Sequence, residues 1–311
     1  MVSARRCLFV ADPLSGLRVQ SDSSLAILRE GQKRGWQTYW ATPDGLSFRN
    51  GDVYARARLV AVARADALPS TAGEQTLAVA SFQRVFVRKD PPFDTHYLRM
   101  CWWLGLEESR THFVNTPSSL LRFHEKLLPW EAVARGYLRP EQLVPTYTAD
   151  VDGVHALLEA HPKRDYVIKP FFGFAGSAVE RWNGGTLDAR EAQLAQPFQE
   201  AIHRRGDRRV LYAAGQRIGD FVRRPPDGGF VSNLAAGGSA ERLPMTEAET
   251  LVADGLGRFL AAVGITFAGA DLIGDKLSEV NITSPTGLLA LEKLEQIDGA
   301  ARLWEAIDRA T

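Results

Sequence analysis

The chain reads as an α/β protein whose second half turns antiparallel, and three observations carry that reading. Its first forty residues, from "RCLFVA" through "DSSLAILREGQKRGW" to "QTYWATP", set an apolar run, a helical pattern and a second apolar run in the order of a parallel strand-helix-strand unit. A further apolar strand, Val85 to Val87 in "RVFVRKDPPFD", runs straight into Arg88, Lys89 and Asp90. Open α/β sheets bind ligands at such C-terminal strand ends. Near residue 145 the pattern changes, and "DRRVLYAAGQRIGDFVRR" reads as consecutive antiparallel strands.

The elements follow in order. "RCLFVA" is a buried strand and "DPLSG" a loop; Asp22 or Ser23 caps the next helix and Gly35 ends it. After a less regular span come the "RVFVR" strand, a helix over "THYLRMCWWLGLEE", a strand at "THFVN" and a single helix over "SSLLRFHEKLL". "VPTYTAD" is a strand into a loop, and "VDGVHALLEAHP" a helix stopped by Pro162. "DYVIKPFFGFAGSAVERW" is two strands joined by a glycine-bearing loop. Pro225 to Leu243, rich in Gly, Pro and small residues, is expected to be a mobile lid. "TEAETLVADGLGRFLAAVG" is a capped amphipathic helix, followed by a hairpin and by helical "LLALEKLEQIDGAARLWEAI".

Bulk properties exclude more than they assign. At 311 residues the prior is about two domains, or one with subdomains. Lys plus Arg equals Asp plus Glu at 37 each, so no global field favours nucleic acid or an acidic membrane. Cys7 and Cys101 stand far apart, which suggests buried thiols in a reducing cytoplasm. No signal-peptide core and no membrane span are expected. HExxH, GxSxG, GxGxxG and Walker A patterns do not occur.

One stretch demands a ligand. "DLIGDKLSEVNITSPTG" sets Asp271, Glu279 and Asn281 around a Gly-Asp turn among residues that otherwise look buried. A turn through Gly274, Asp275 and Lys276 places Asp271 opposite Glu279, with Asn281 on the same face and Leu272, Val280 and Ile282 on the other. Two carboxylates and an amide form a partial cage of hard oxygens of the kind magnesium takes; the alternative is a solvated polar face. In "VIKPFFGFAGSA", Lys169 ends a strand, and Gly173 and Gly176 bracket a turn able to approach phosphate oxygens, or a plain hairpin turn.

Taken in order, "DSSLAILREGQKRG", "RKDPPFDTHY", "VNTPSSLLRFHEKL", "IKPFFGFAGSA", "GDRRVL", "NLAAGG" and "GADLIGDKLSEVNITSPTG" resemble the bacterial glutathione synthetases of the ATP-grasp superfamily. The resemblance spans nearly the whole chain. It implies an ATP-grasp fold: an N-terminal open parallel α/β domain over 1–122, a small mobile lid domain over 123–200 and a C-terminal α+β domain over 201–311. It also implies an ATP-dependent ligase joining γ-glutamylcysteine to glycine through an acyl phosphate. By family match, Lys126, Lys169, Gly173 and Gly176 bind ATP phosphates, and Gln196 and Phe198 meet adenine. Asp271, Glu279 and Asn281 hold Mg2+, or Mn2+. Arg209 and Arg223 stabilise the reacting oxyanion, and Arg88, Asp90, Asp207, Asn233, Ser284 and Thr286 face substrate. Small-molecule substrates, a cytoplasmic homo-oligomer and no nucleic-acid or membrane partner complete the expectation.

The sequence also departs from the family pattern. Phe172 and Ala175 stand where an aspartate and a glycine are usual in the phosphate loop, Val231 replaces a lid arginine, and Leu288, Leu289 and Ala290 follow "SPTG" in place of a polar pair. A related ligase joining another amino acid or peptide pair, or a non-catalytic nucleotide-binding module, remains open.

Overall fold

The computed structural model describes residues 4–62, 67–161, 165–173, 178–182, 193–234 and 237–310. The first part builds β1 (Arg6–Ala11), α1 (Ser23–Lys33), β2 (Gln37–Ala41), β3 (Leu46–Arg49), β4 (Asp52–Ala61), β5 (Ser70–Ala78), β6 (Arg84–Arg88), α2 (Thr95–Gly105) and β7 (His112–Val114). Asp22 caps α1, its side chain accepting from the amides of Ser24 and Leu25, and Gly35 follows the helix at φ 79°. β2, β1, β6 and β7 run parallel, as the strand-helix-strand pattern predicts. The sheet is nevertheless mixed. The span that reads as irregular folds into β3, β4 and β5: β4 joins β2 antiparallel, and β3 and β5 both pair antiparallel with β4. Val53, Ala55 and Ala57 do alternate inward, but two of the three are alanines, so the period-two signal is faint.

The linking stretch differs from its expected single helix. It breaks into α3 (Pro117–Arg122) and α4 (Leu128–Ala134), and residues 123–127 between them turn inward. Next come β8 (Tyr147–Ala149), α5 (Val151–Ala160), β9 (Tyr166–Pro170), β10 (Glu180–Trp182) and β11 (Gln193–Pro197). These strands form a four-stranded sheet in the order β10-β9-β11-β8, backed by α5. Pro162, the expected stop of α5, lies outside the described residues.

After α6 (Ala201–Arg205) come β12 (Asp207–Ala213), β13 (Gln216–Arg224), β14 (Ser239–Glu241), α7 (Glu247–Ala262), β15 (Phe267–Ile273), β16 (Lys276–Asn281), α8 (Leu288–Glu295) and α9 (Gly299–Ala310). The third sheet is antiparallel, in the order β14-β13-β12-β15-β16. Thr246 and Glu249 form a reciprocal capping box on α7.

Two contacts weld the first and third sheets together. Asn115, just after β7, donates from Nδ2 to the carbonyls of Phe267 and Ile282, both at 2.7 Å. Its Oδ1 accepts from the amides of Thr266 and Phe267 at 2.9 and 2.8 Å. Helix α9 packs back on the first sheet, where the Arg84 guanidinium lies over the contacting rings of Trp36 and Trp304, 5.0 and 4.9 Å from their centroids. Residues 123–144, expected with the small sheet, also join this body: the Val144 amide donates to Leu277 at 2.9 Å, and α4 packs on β16 and α7.

Candidate functional site

On β12, residues 207 and 209 point to one face of the third sheet and residue 208 to the other. Register then sets Arg209 opposite Asp271 on β15 and Asp207 opposite Arg223 on β13. Arg209 grips Asp271 with two parallel bonds, Nε to Oδ1 at 2.6 Å and Nη2 to Oδ2 at 3.0 Å. Arg223 bridges the two acids, 2.8 Å from Asp271 and 2.5 Å from Asp207. Ser232 donates to the same Asp207 oxygen at 2.6 Å, while Asp207 Oδ1 is buried without a hydrogen-bond partner among the described residues. Gly269 leaves space for the Arg209 stem, since a Cβ there would lie 2.9 Å from Nη1.

The hairpin faces as expected, by a different route. Its turn has two residues, not three: Ile273 pairs with Lys276 across Gly274 and Asp275, with Gly274 at φ 64°. A register shift between Asp271 and Leu272 absorbs one extra residue on β16 and restores Asp271 opposite Glu279. Leu272, Val280 and Ile282 are fully buried on the other face. Asn281 Nδ2 donates to Asp271 Oδ2 at 3.2 Å. Glu279 makes no hydrogen bond or ion pair among the described residues.

Charges here have identifiable causes. Burial alone would raise the Asp271 pKa, but Arg209 and then Arg223 hold it below the usual carboxylate range. Burial raises Asp207, against the pull of Arg223. Glu125, between α3 and α4, is raised first by burial and further by the Glu279 carboxylate, although the amides of Ile282 and Thr283 donate to it at 2.7 and 2.9 Å. Two neighbouring carboxylates, Glu125 and Glu279, beside an asparagine oxygen and Asp271 suit a divalent cation. Among the described residues no three His, Cys, Asp or Glu side chains converge as a ready-made cage, so part of such a coordination shell would come from substrate oxygens and water.

A cavity of about 1170 Å³ unites these groups with the small sheet. Its walls include Lys126, Lys169, Gly173, Gln196 and Phe198 on one side, Asp207, Arg209, Arg223, Asp271, Glu279 and Asn281 at the centre, and Asp90, Asn233, Ser284 and Thr286 beyond. Lys126 Nζ donates to the Gly173 carbonyl at 2.5 Å, and Gln196 donates to Thr146 at 3.0 Å. Arg88 sits behind the wall: it is buried, donates to Ser24 at 3.0 Å and to the Pro285 carbonyl at 2.9 Å, and so shapes the "SPTG" turn. Burial lowers its pKa and raises that of Asp90. Gly176 and Ala175 lie outside the described residues.

Of the departures, Val231 and Ala290 line the cavity, but Leu288 is core, packed under Gly299. Phe172 joins an aromatic cluster with Phe171 and His124, the last stacked on Phe171 at 4.0 Å and 10°. Sequence reasoning missed Glu125, Asn115, Ser24 and Ser232. Only Glu125 carried a signal, a carboxylate beside Lys126 in an otherwise apolar turn.

The model of the prokaryotic glutathione synthetase N-terminal domain matches residues 6–121, and that of the prokaryotic glutathione synthetase ATP-grasp domain residues 137–296. Glutathione synthetase of Citrobacter rodentium is 35% identical over 314 residues, and that of Escherichia coli strain K12 34% identical, each covering 96% of both chains. That of Vibrio vulnificus is 33% identical over 317 residues. Among solved structures, D-cycloserine synthetase DcsG superposes with TM-score 0.64 at 17% identity over 98% of this chain and 99% of its own. The ATP-grasp ligase PsnB with its minimal precursor gives 0.63 at 16% identity over all of both chains. These structural likenesses establish the ATP-grasp fold, and a family of this kind uses ATP with a divalent metal to form C-N bonds, releasing ADP and phosphate. With both domain models matched in order, and relatives above 30% identity along nearly its full length, the chain belongs to the prokaryotic glutathione synthetase family of ATP-grasp ligases.

Proposed function

We propose that this ligase joins the cysteinyl carboxylate of γ-glutamylcysteine to the amine of glycine, making glutathione at the expense of ATP. The observation that carries the reading is one shared cavity in which Lys126, Lys169, Arg209, Arg223 and the hairpin carboxylates converge. A carboxylate is a poor electrophile, and phosphorylation turns it into an acyl phosphate that an amine attacks. Bringing carboxylate and triphosphate together requires cations in a site shielded from water. Lys126 and Lys169 would bind the phosphates under the Gly173 turn, and Gln196 and Phe198 would meet the adenine. Arg209 and Arg223 would neutralise the transferring phosphoryl group and the oxyanion that forms on amine attack. Asp90, Asn233, Ser284 and Thr286 would orient the peptide, while Asp207 would hold Arg223 in place. Asp271, Glu279 and Asn281, with hard oxygens only, would hold Mg2+, which supplies charge neutralisation on the phosphates when bound. Positioning and charge carry the chemistry, with no covalent nucleophile from the chain.

A small mobile domain ending near residue 200 and starting after residue 144, not at 123, together with cytoplasmic small-molecule substrates and a homo-oligomer, belongs to the same reading. The test is ATP-dependent phosphate release with mass detection of product, for γ-glutamylcysteine plus glycine beside a panel of other carboxylate and amine pairs. Glutathione formed fastest is the expected result, and no glutathione at all ends the proposal.

A second reading has its own observation. Besides Arg18, Gln20 and Lys293, the cavity lining includes the apolar side chains of Leu17, Phe221, Ala240, Ala290 and Leu294. Such a wall favours a co-substrate with an apolar side chain. A faster product from such a pair would select it.

A further inference from the structure

Arg208 lies on the back of the third sheet, out of reach of any ligand in the cavity, yet it is 1% exposed and both terminal nitrogens of its guanidinium are hydrogen-bonded. Its Nη1 donates to the Leu243 carbonyl at 2.8 Å and its Nη2 to the Pro244 carbonyl at 3.1 Å. It pairs with Asp220 and, at 3.4 Å, with Glu249, the acid of the α7 capping box. Glu249 in turn accepts from Arg205 at 3.0 Å and from the Thr246 amide at 2.7 Å.

The two carbonyls mark a particular place in the chain path. After β13 the backbone crosses the front of the sheet, where Ser232 bonds Asp207. It returns as edge strand β14, with Ala240 opposite Arg223, and then turns to the back at Leu243 and Pro244. Consecutive residues of β12 therefore grip this excursion from both faces, Asp207 from the front and Arg208 from behind. β14 spans three residues, too short to hold its own edge position by ladder bonds alone.

We propose that Arg208 is a positioning residue for the ligation step: by fixing Leu243 and Pro244 it keeps β14 beside Arg223 and Ser232 on Asp207, and so keeps water from the reacting carbonyl. The proposal rests on the ligase reading above. If the cover loosens, water attacks the acyl phosphate in place of the amine, regenerating the carboxylate and releasing phosphate, so ATP is spent without a new C-N bond. Lysine keeps the charge that Asp220 and Glu249 require but, lacking the planar fork, cannot hold both carbonyls.

The experiment compares wild type with Arg208→Lys and Arg208→Met, reading the ratio of ligated product to ADP, the ATP KM, thermal stability and amide exchange at 239–241. The expected result for Arg208→Lys is a product-to-ADP ratio lower by about threefold or more. Faster exchange at 239–241 should accompany it, with exchange in α9 and the ATP KM unchanged. Should Arg208→Met fail to fold, Arg208→Lys decides. An unchanged ratio with slower overall turnover would mark Arg208 as merely structural and overturn the proposal. If wild type ligates no pair, the substrate reading has failed instead, and exchange at 239–241 alone decides: unchanged exchange in Arg208→Lys overturns the proposal, and faster exchange there supports it.

Discussion

The small four-stranded sheet and the third sheet share the cavity, but they are held in opposite ways. The third sheet and the N-terminal sheet bury their side chains in common cores: Leu8, Val10, Val210 and Tyr212 belong to one cluster, and Phe9, Phe86, Phe221 and Trp304 to another. Among the described residues the small sheet has its own core of five buried side chains, Val154, Leu158, Tyr166, Ile168 and Ala195. It meets the body through single contacts such as Lys126 with Gly173 and His124 with Phe171. The groups that must hold charge in register, Lys126 among them, sit on the rigid part, while Lys169, Gly173, Gln196 and Phe198, also expected at the nucleotide, sit on a part with little to restrain it. Few buried contacts mean a low free energy of local opening, the property a closing element needs.

The comparison is broken most directly at the weld. Asn115→Ala leaves two buried amides and two buried carbonyls without their partner, and at about 1–3 kcal/mol per group the expected loss is about 4 kcal/mol or more of global stability. Urea unfolding checks this; a loss under about 1 kcal/mol would mean the two sheets are not one body. Glu279→Gln on the same rigid part should leave stability intact and lower kcat by about a hundredfold, as removal of a charged group at a phosphoryl-transfer centre does. Unchanged ATP use would sink the metal assignment.

On the other side, Leu158→Ala removes about 2–4 kcal/mol of packing from the small sheet's core. Hydrogen exchange should rise in β8, β9 and β11, with the KM for ATP, while the main unfolding transition stays in place; a matching drop in that transition would show one cooperative unit. The smallest effect lies at the junction. Burial, with Lys126 nearby, lowers the His124 pKa to about 4, below the usual 6.5. The unfolded or undocked form therefore binds the extra proton as pH falls from about 6.5 toward 4, and docking is fully stable only above that window. Between pH 8 and pH 5 the junction should lose about 2 kcal/mol, and His124→Phe should abolish the dependence. A pH-independent junction in wild type would contradict it.

Local chemistry was legible where one residue type answers one local need. Asp22 before an apolar period reads as a helix cap, and Asp271, Glu279 and Asn281 read as one polar face because strand alternation has only two sides. β4 was missed since alanine carries little burial signal, and the break after Arg122 since Phe123 to Leu127 keep a helical composition. The facing of Asp271 and Glu279 survived a wrong turn length only because a bulge restored it, and nothing in "DKLSEV" announces a bulge.

By itself, then, the sequence determined the opening strand-helix-strand unit, the antiparallel second half, the polar face of the hairpin and the chemical character of the centre, all properties of neighbours along the chain. The tertiary structure alone decided that Arg209 and Arg223 share Asp271, that Asn115 joins two sheets, that Leu288 is core while Ala290 faces the cavity, and that Arg208 holds a strand from behind. Each of these depends on register and on which face meets which, and the bonds that fix them join segments 35 to 152 residues apart.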